Sequence, residues 1–279
     1  MATQTLRSSA CLLLLGLLAS HGAAAAGKCQ RLVATGSPDA PPFLWRDPQD
    51  PQRLIGASAD VLQQLAAELE LKVDVLYGGR RAQAQAQVRS GRMDLLADQP
   101  LLDADLDTLD YIYPPLAQND YLVWRRQGAG PAYATPAELH GARGAVSAKA
   151  RLTPTFSAFA ADNLNLERPD NLTRTFQRLV LGQVDYIIAP RYAGQAMARA
   201  LGVANDVQMG ELPLDRPGLH LALGHDSACN DAWLRGQLAK KMTELAASGR
   251  MQGILQRNME RWQAEQASPA SPAKPQDTP

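Results

Sequence analysis

The chain has 279 residues, 46% of them hydrophobic and 20% charged, which is enough apolar material for two α/β units of about a hundred residues each and too much for a disordered or fibrous polymer. Lys plus Arg number 28 and Asp plus Glu number 28, so no net field draws the chain to nucleic acid or to an anionic membrane surface, and neither is expected as a partner.

At the N-terminus Arg7 precedes the apolar run Leu12 to Leu18, and small residues follow from Ala23 to Gly27. That three-part pattern predicts a secretory leader cleaved near Ala25 or Ala26. The run is far shorter than the roughly twenty residues a membrane span needs. Cys11 precedes the run, whereas a lipoprotein carries its cysteine at the far end, so a free soluble mature protein is expected. Two cysteines then remain, Cys29 and Cys229, in a compartment that permits disulfides, and an even count there argues for pairing over two buried thiols. Such a bond places both ends of the chain in one structural unit.

Arg31 to Thr35 alternates into a strand, and a Pro41-Pro42-Phe43 turn and a polar loop lead to a helix with apolar positions Val61, Leu62, Leu65, Ala66 and Leu69. Ser58 or Asp60 is the expected cap. A strand that delivers an aromatic turn and then a helix N-terminus sets a ring and backbone N–H donors beside the carboxyl edge of a sheet, where α/β proteins bind small molecules. Lys72 to Leu76 completes a βαβ unit. A polar helix from Arg81 to Arg89 stops at Gly91, and Met93 to Ala97 reads as a strand buried on both faces, which predicts a parallel sheet. An acidic loop, Asp103 to Asp110, precedes Y-I-Y-P-P and a strand from Tyr121 to Arg125.

A second unit follows the Gly128 to Pro131 break. Thr135-Pro136-Ala137-Glu138 reads as a capping box, and Gly144 to Val146 as a strand leading through Ser147 and Lys149 to a helix over Thr153 to Ala161. Asn171 caps a helix over Leu172 to Leu181 that Gly182 ends, before a strand from Val184 to Ala189. The grammar helix-Gly-x-x-Asp-strand occurs at Gly91 to Asp94 and again at Gly182 to Asp185, a short internal resemblance. Leu219 to Leu223 reads as a strand, and helices over Asp231 to Ala247 and Met251 to Glu265 are divided by Gly249. The last residues, Ala267 to Pro279, bury too little to order themselves.

This order of parts resembles the bacterial periplasmic solute-binding proteins of ABC importers, polar amino-acid-binding family, type II periplasmic binding protein-like. The stretches that carry the resemblance are P-P-F at Pro41, I-G-A-S-A-D-V-L at Ile55, R-S-G-R-M-D-L-L at Arg89, L-D-Y-I-Y-P-P at Leu109, T-P-A-E-L-H-G at Thr135 and L-G-Q-V-D-Y-I-I at Leu181. It implies two α/β lobes joined by a two-strand hinge with a ligand cleft between them. Residues 27–124 and 217–266 form lobe one, 125–216 lobe two, 1–26 the leader and 267–279 a disordered tail. It also implies a monomer that captures a small polar ligand in the periplasm and presents it to an inner-membrane ABC permease, or to a sensor receptor, with no cofactor and no metal. Phe43 and Trp45 fall near an aromatic wall of the cleft, with Phe43 as lobe core and Trp45 as a surface ring the alternative.

Departures from the family pattern concern the ligand. The T-P-E-R stretch whose Arg holds an α-carboxylate reads L-D-A-D-L-D-T-L-D here, and the lobe-two Asp that meets an α-ammonium is replaced by Ala189-Pro190-Arg191. G-F-D-V-D reads G-A-S-A-D, which puts Ala57 and Ser58 where an aromatic and an acid stand. The remaining charges look exchanged: Asp98, Asp103 and Asp105 on the lobe-one side, Lys149, Arg151 and Arg191 on the lobe-two side. Together with Ser58 and Ser147 these are the candidate ligand residues, with an anionic group meeting lobe two and a cationic or hydroxyl-bearing part meeting lobe one. The alternatives are solvated loop charges, or charges that help the lobes close.

No H-E-x-x-H, C-x-x-C, G-x-S-x-G or P-loop occurs, and His140, His220 and His225 are scattered, so no catalytic residue is assigned. A dehydratase built on an acid in the cleft is the enzymatic alternative.

Overall fold

A computed structural model describes residues 29–101, 103–133 and 135–267. The leader with its cleavage site lies outside these residues, as does the tail from 268 onward; Ala267 itself ends the last helix.

The first half contains β1 (Arg31–Thr35), β2 (Asp39–Ala40), β3 (Leu44–Arg46), β4 (Leu54–Ile55), α1 (Ala57–Glu68), β5 (Lys72–Val75), α2 (Arg81–Arg89) and β6 (Leu95–Pro100). A 3-10 turn, Asp103–Asp105, leads to β7 (Leu109–Tyr111), β8 (Ala117–Gln118) and β9 (Tyr121–Arg126). A second such turn, Pro136–Leu139, precedes β10 (Arg143–Val146), α3 (Pro154–Asn163), β11 (Asn165–Glu167), α4 (Leu172–Val180), β12 (Tyr186–Pro190), α5 (Arg191–Ala200) and β13 (Val207–Met209). The chain ends with β14 (Gly218–Gly224), α6 (Ala232–Ser248) and α7 (Arg250–Ala267).

Two larger sheets organise these parts, in the orders β5-β1-β6-β14-β7, with β8 also on β14, and β11-β10-β12-β9-β13. Each lobe is thus an α/β layer structure. In lobe one, α1, α6 and α7 cover one face through Leu62, Leu65, Leu238 and Ile254, and α2 covers the other through Ala84 and Val88. In lobe two, α3 packs one face around Phe156, while α4 and α5 pack the other around Phe176. The first sheet is mixed rather than parallel: β5, β1 and β6 run together, but β14 enters antiparallel between β6 and β7. The buried run at β6 reports burial on both faces, and burial does not fix strand direction.

The two halves repeat one another. In each sheet two parallel strands flank the first strand of the half, and a strand that has crossed from the other lobe takes the fourth position antiparallel. The shared Gly-x-x-Asp grammar has one structural role in both. Gly91 and Gly182 end their helices at φ of 67° and 72°, and Asp94 and Asp185 each accept a hydrogen bond from the backbone of the neighbouring first strand, Val33 N at 2.7 Å and Arg143 N at 2.9 Å.

The lobes are joined by two segments lying side by side. Asn119 N donates to Pro217 O at 2.9 Å and Tyr121 N to Asp215 O at 2.8 Å. A boundary at residue 124 therefore passes through β9, which lies wholly in the second sheet; the crossing occurs just before Tyr121. Cys29 and Cys229 are bonded, tying the start of β1 to the segment before α6 across a sequence separation of 200.

Local rules explain several helix ends. Thr153, Asn171 and Asp231 accept from Phe156 N, Arg174 N and Leu234 N, and Gly249 at φ 68° divides α6 from α7. The expected capping box at Thr135 takes another form: its hydroxyl bonds Glu138 Oε1 at 3.1 Å, and the turn is 3-10. Helix α5 escapes the sequence reading because its buried face is small, with Gly194, Ala196 and Ala198, and Gly194 leaves room for the Trp124 ring that a Cβ would strike.

Candidate functional site

A cavity of about 600 Å³ lies between the lobes. Its lobe-one wall starts at the turn between β2 and β3. Pro42 O and Phe43 O accept from Ala57 N at 2.9 Å and Ser58 N at 3.0 Å, so this turn satisfies the first N–H groups of α1. Those donors are engaged within the fold, contrary to the expectation that they face a ligand. The cap is Gly56, at φ 133°, because a Cβ there would collide with the Phe43 carbonyl. Neither Ser58 nor Asp60 caps: Ser58 is fully buried in the first turn away from the cavity, and Asp60 accepts from Asn258 Nδ2 at 2.7 Å.

Phe43 and Trp45 are both buried and both line the cavity. Phe43 also belongs to the lobe core and meets Tyr192 of α5 edge to face at 5.9 Å. Trp45 is held by α7: its Nε1 donates to Glu265 Oε2 at 2.7 Å and its ring lies 5.6 Å from Trp262, which also lines the cavity. It is thus no surface ring. Helix α7 packs on α1 and α6 of lobe one and on α5 of lobe two, so it spans both lobes beside the cavity.

At the end of β6, Asp98 lies on the lobe-one wall, 3% exposed, with Oδ1 accepting from Ser37 N at 3.0 Å. Gly36 carries no side chain because the Asp98 carboxylate occupies that space. Burial pushes the Asp98 carboxyl above the usual carboxylate range, opposed by the nearby Arg81 charge and the Ser37 N–H. Arg81, the first residue of α2, lines the same wall.

The lobe-two wall is the turn after β10. Ala150 N donates to Ser147 O at 2.9 Å and Lys149 N to Ser147 Oγ at 3.2 Å, a compact turn that presents Ser147, Lys149 and Arg151 to the cavity. Arg151 N donates to the Tyr121 hydroxyl at 2.9 Å, which fixes the turn against the hinge. Partial burial, then the like charge of Arg81, lowers the Arg151 guanidinium below its ordinary value. Asn171 and Thr173, at the start of α4, complete this side.

The structure therefore brings together Phe43, Trp45, Asp98, Ser147, Lys149 and Arg151 of the expected set. It sets the others apart. Asp105 is buried between Arg89, which ion-pairs with it, and Gln99 Nε2 at 2.7 Å. Arg191 pairs with Asp120 at 3.4 Å, and Arg216 approaches the same carboxylate at 3.0 Å, a cluster at the hinge. Asp103 opens the 3-10 turn after β6, and its side chain lies outside the described set. Sequence reasoning missed Arg81, Asn171 and Trp262. Arg81 and Asn171 each open a helix that follows a strand end, a signal the alternation of elements carries; nothing local marks Trp262.

Among the described residues no group of three or more His, Cys, Asp or Glu is placed to hold a metal ion, and no helix is long and apolar enough to cross a membrane.

No family model matches the chain, and no curated protein matches it. Solved structures do. The chain is similar to an amino acid ABC transporter substrate-binding protein, AbpA from Streptococcus pneumoniae, bound to L-arginine, at 17% identity over 84% of this chain and 96% of that one, TM-score 0.62. It is similar to the periplasmic VFT2 domain of BvgS from Bordetella pertussis at 17% identity over 84% and 93%, TM-score 0.65. A histidine kinase sensor domain with similarity to periplasmic binding proteins gives 18% identity over 82% and 96%, TM-score 0.63. At these identities the likeness establishes the fold: two α/β lobes of the periplasmic-binding-protein type.

Proposed function

We propose that this chain is an exported solute-binding protein that captures a small polar solute between its lobes for an ABC importer. The observation that carries the reading is the cavity itself, lined from both lobes at a two-segment hinge. A ligand held there contacts both walls only when the lobes are together, so it binds the closed form more tightly and shifts the population toward it. A membrane partner then reads the closed form, and no bond in the solute needs to change. Export rests on the N-terminal leader pattern, and the disulfide agrees with an oxidising compartment.

A second reading is a periplasmic sensor domain that reports its ligand to a membrane receptor. The likeness to sensor domains favours it, and the fold serves both uses. Calorimetric titration with a panel of amino acids, polyamines and organic acids, combined with small-angle scattering, tests the common element. A saturable ligand that compacts the protein is expected, and the absence of any such ligand would sink both readings. Capture of an importer permease rather than a receptor kinase from the native membrane separates them.

A further inference from the structure

The charges of the cleft are unequally engaged. Among its lining residues are two acids, Asp39 and Asp98, and four basic residues, Arg46, Arg81, Lys149 and Arg151. Arg46 donates twice to Pro51 O and lies over the Tyr77 ring. The side chains of Arg81, Lys149 and Arg151 make no hydrogen bond or ion pair with any described residue, while eleven Lys or Arg ion pairs form elsewhere among the described residues. These three stand on both walls, Arg81 on lobe one and the other two on lobe two.

We propose that the cleft is built for a small dicarboxylic acid, one carboxylate lying at Arg81 and the other at Lys149 and Arg151. The proposal rests on the solute-binding reading and names its substrate class. Like charges facing each other across a gap oppose its closure, and an anion between them turns that repulsion into attraction. The ligand then supplies the differential affinity that closes the lobes. Two negative charges match the excess of basic over acidic side chains in the lining, and Arg forks suit the planar, two-oxygen face of a carboxylate. A cationic solute such as the L-arginine held by the Streptococcus pneumoniae protein would meet little free acid here. Asp39 is exposed to water, Asp98 accepts from Ser37, and Asp105 and Asp120 are paired with arginines outside the cleft. Phe43 provides an apolar surface for the carbon chain between the two carboxylates.

The test is calorimetric titration of the purified mature protein with succinate, glutarate, L-glutamine, L-arginine and sodium sulfate. Succinate or glutarate is expected to bind at least about tenfold more tightly than L-arginine or L-glutamine, with affinity falling as salt rises. Arg81→Gln and Arg151→Gln are each expected to weaken that binding by about tenfold or more, with Arg151→Lys recovering part of it. The unliganded Arg151→Gln variant should melt at or above the wild-type temperature, because its like-charge contact with Arg81 has been relieved; a merely structural arginine would lower it. Tighter binding of L-arginine or L-glutamine overturns the dicarboxylate assignment and leaves the solute-binding reading standing. Sulfate binding as tightly as succinate overturns the organic acid in favour of an inorganic anion. Wild-type affinity in both arginine variants removes the proposed contacts, and no binding by any compound, here or in the wider panel, removes the solute-binding reading with them.

Discussion

Phe43 and Tyr192 meet edge to face across the two lobes, their ring centroids 5.9 Å apart. One ring is set by the proline turn between β2 and β3 and the other by the first turn of α5, so the contact exists only while the lobes are together. An aromatic pair of this geometry contributes about 0.5–1.5 kcal/mol beyond its buried area. Tyr192→Ala is therefore expected to shift the unliganded protein toward an open form, seen as a larger radius of gyration in small-angle scattering. The melting temperature should change little, since Tyr192 is only partly buried. Unchanged scattering would mean that other contacts hold the lobes.

Gly56 stands where a side chain cannot. Its φ of 133° is a conformation that L residues rarely adopt, and a Cβ would collide with Phe43 O. Gly56→Ala is expected to lower stability by about 2 kcal/mol or more in urea denaturation, through strain at the turn that positions Phe43 and Trp45. The near-ultraviolet dichroism of the Trp45–Trp262 pair reports the same displacement. A variant as stable as wild type, with its aromatic signal intact, would contradict this account.

Asp98 makes the cleft's architecture costly at neutral pH. Its carboxyl is raised by burial, so the folded chain holds that proton more tightly than the unfolded chain does. The associated stability is fully present below the unfolded carboxylate range and is lost as pH rises through the raised folded value. Asp98→Asn keeps an oxygen for the Ser37 N–H and removes the buried charge. It is expected to raise the melting temperature by roughly 2–4 °C at pH 7, with the gain shrinking toward pH 4. A gain that grows on acidification would reverse the assigned sign.

The Cys29–Cys229 bond closes a loop across a sequence separation of 200. On the chain-entropy argument a loop of that size stabilises near the upper end of the usual 2–5 kcal/mol. Replacing both cysteines by serine should lower the urea midpoint by an amount matched by reducing agent on the wild type. Reducing agent should leave the double variant unmoved. Equal midpoints for wild type and variant would show that the bond contributes nothing to equilibrium stability.

Much of the scaffold is legible without coordinates, because its signals are local. The helix starts at Thr153, Asn171 and Asp231 and the stops at Gly91, Gly182 and Gly249 depend on residues a few positions away, whereas the Gly-x-x-Asp spacing showed a resemblance whose role, at Asp94 and Asp185, depends on strands 61 and 42 positions earlier. The elements left unread are those whose pattern carries no period. Helix α5 packs through glycine and alanine, and β2, β4 and β8 are two residues long.

Periodicity and punctuation determined two successive α/β units, and the family resemblance carried by the short motifs implied that they are lobes with a gap between them. Which charges of the loops remain available was decided only by the tertiary structure. Asp105 and Arg191 looked as free as Lys149 and Arg151 in the linear chain. Asp105 is claimed by Arg89, 16 positions earlier, and Arg191 by Asp120, 71 positions earlier, while Arg81, from a helix that read as merely polar, faces the cavity unpaired. Ion pairing is settled by distance in space, and the fold brings distant positions within a few ångströms of one another.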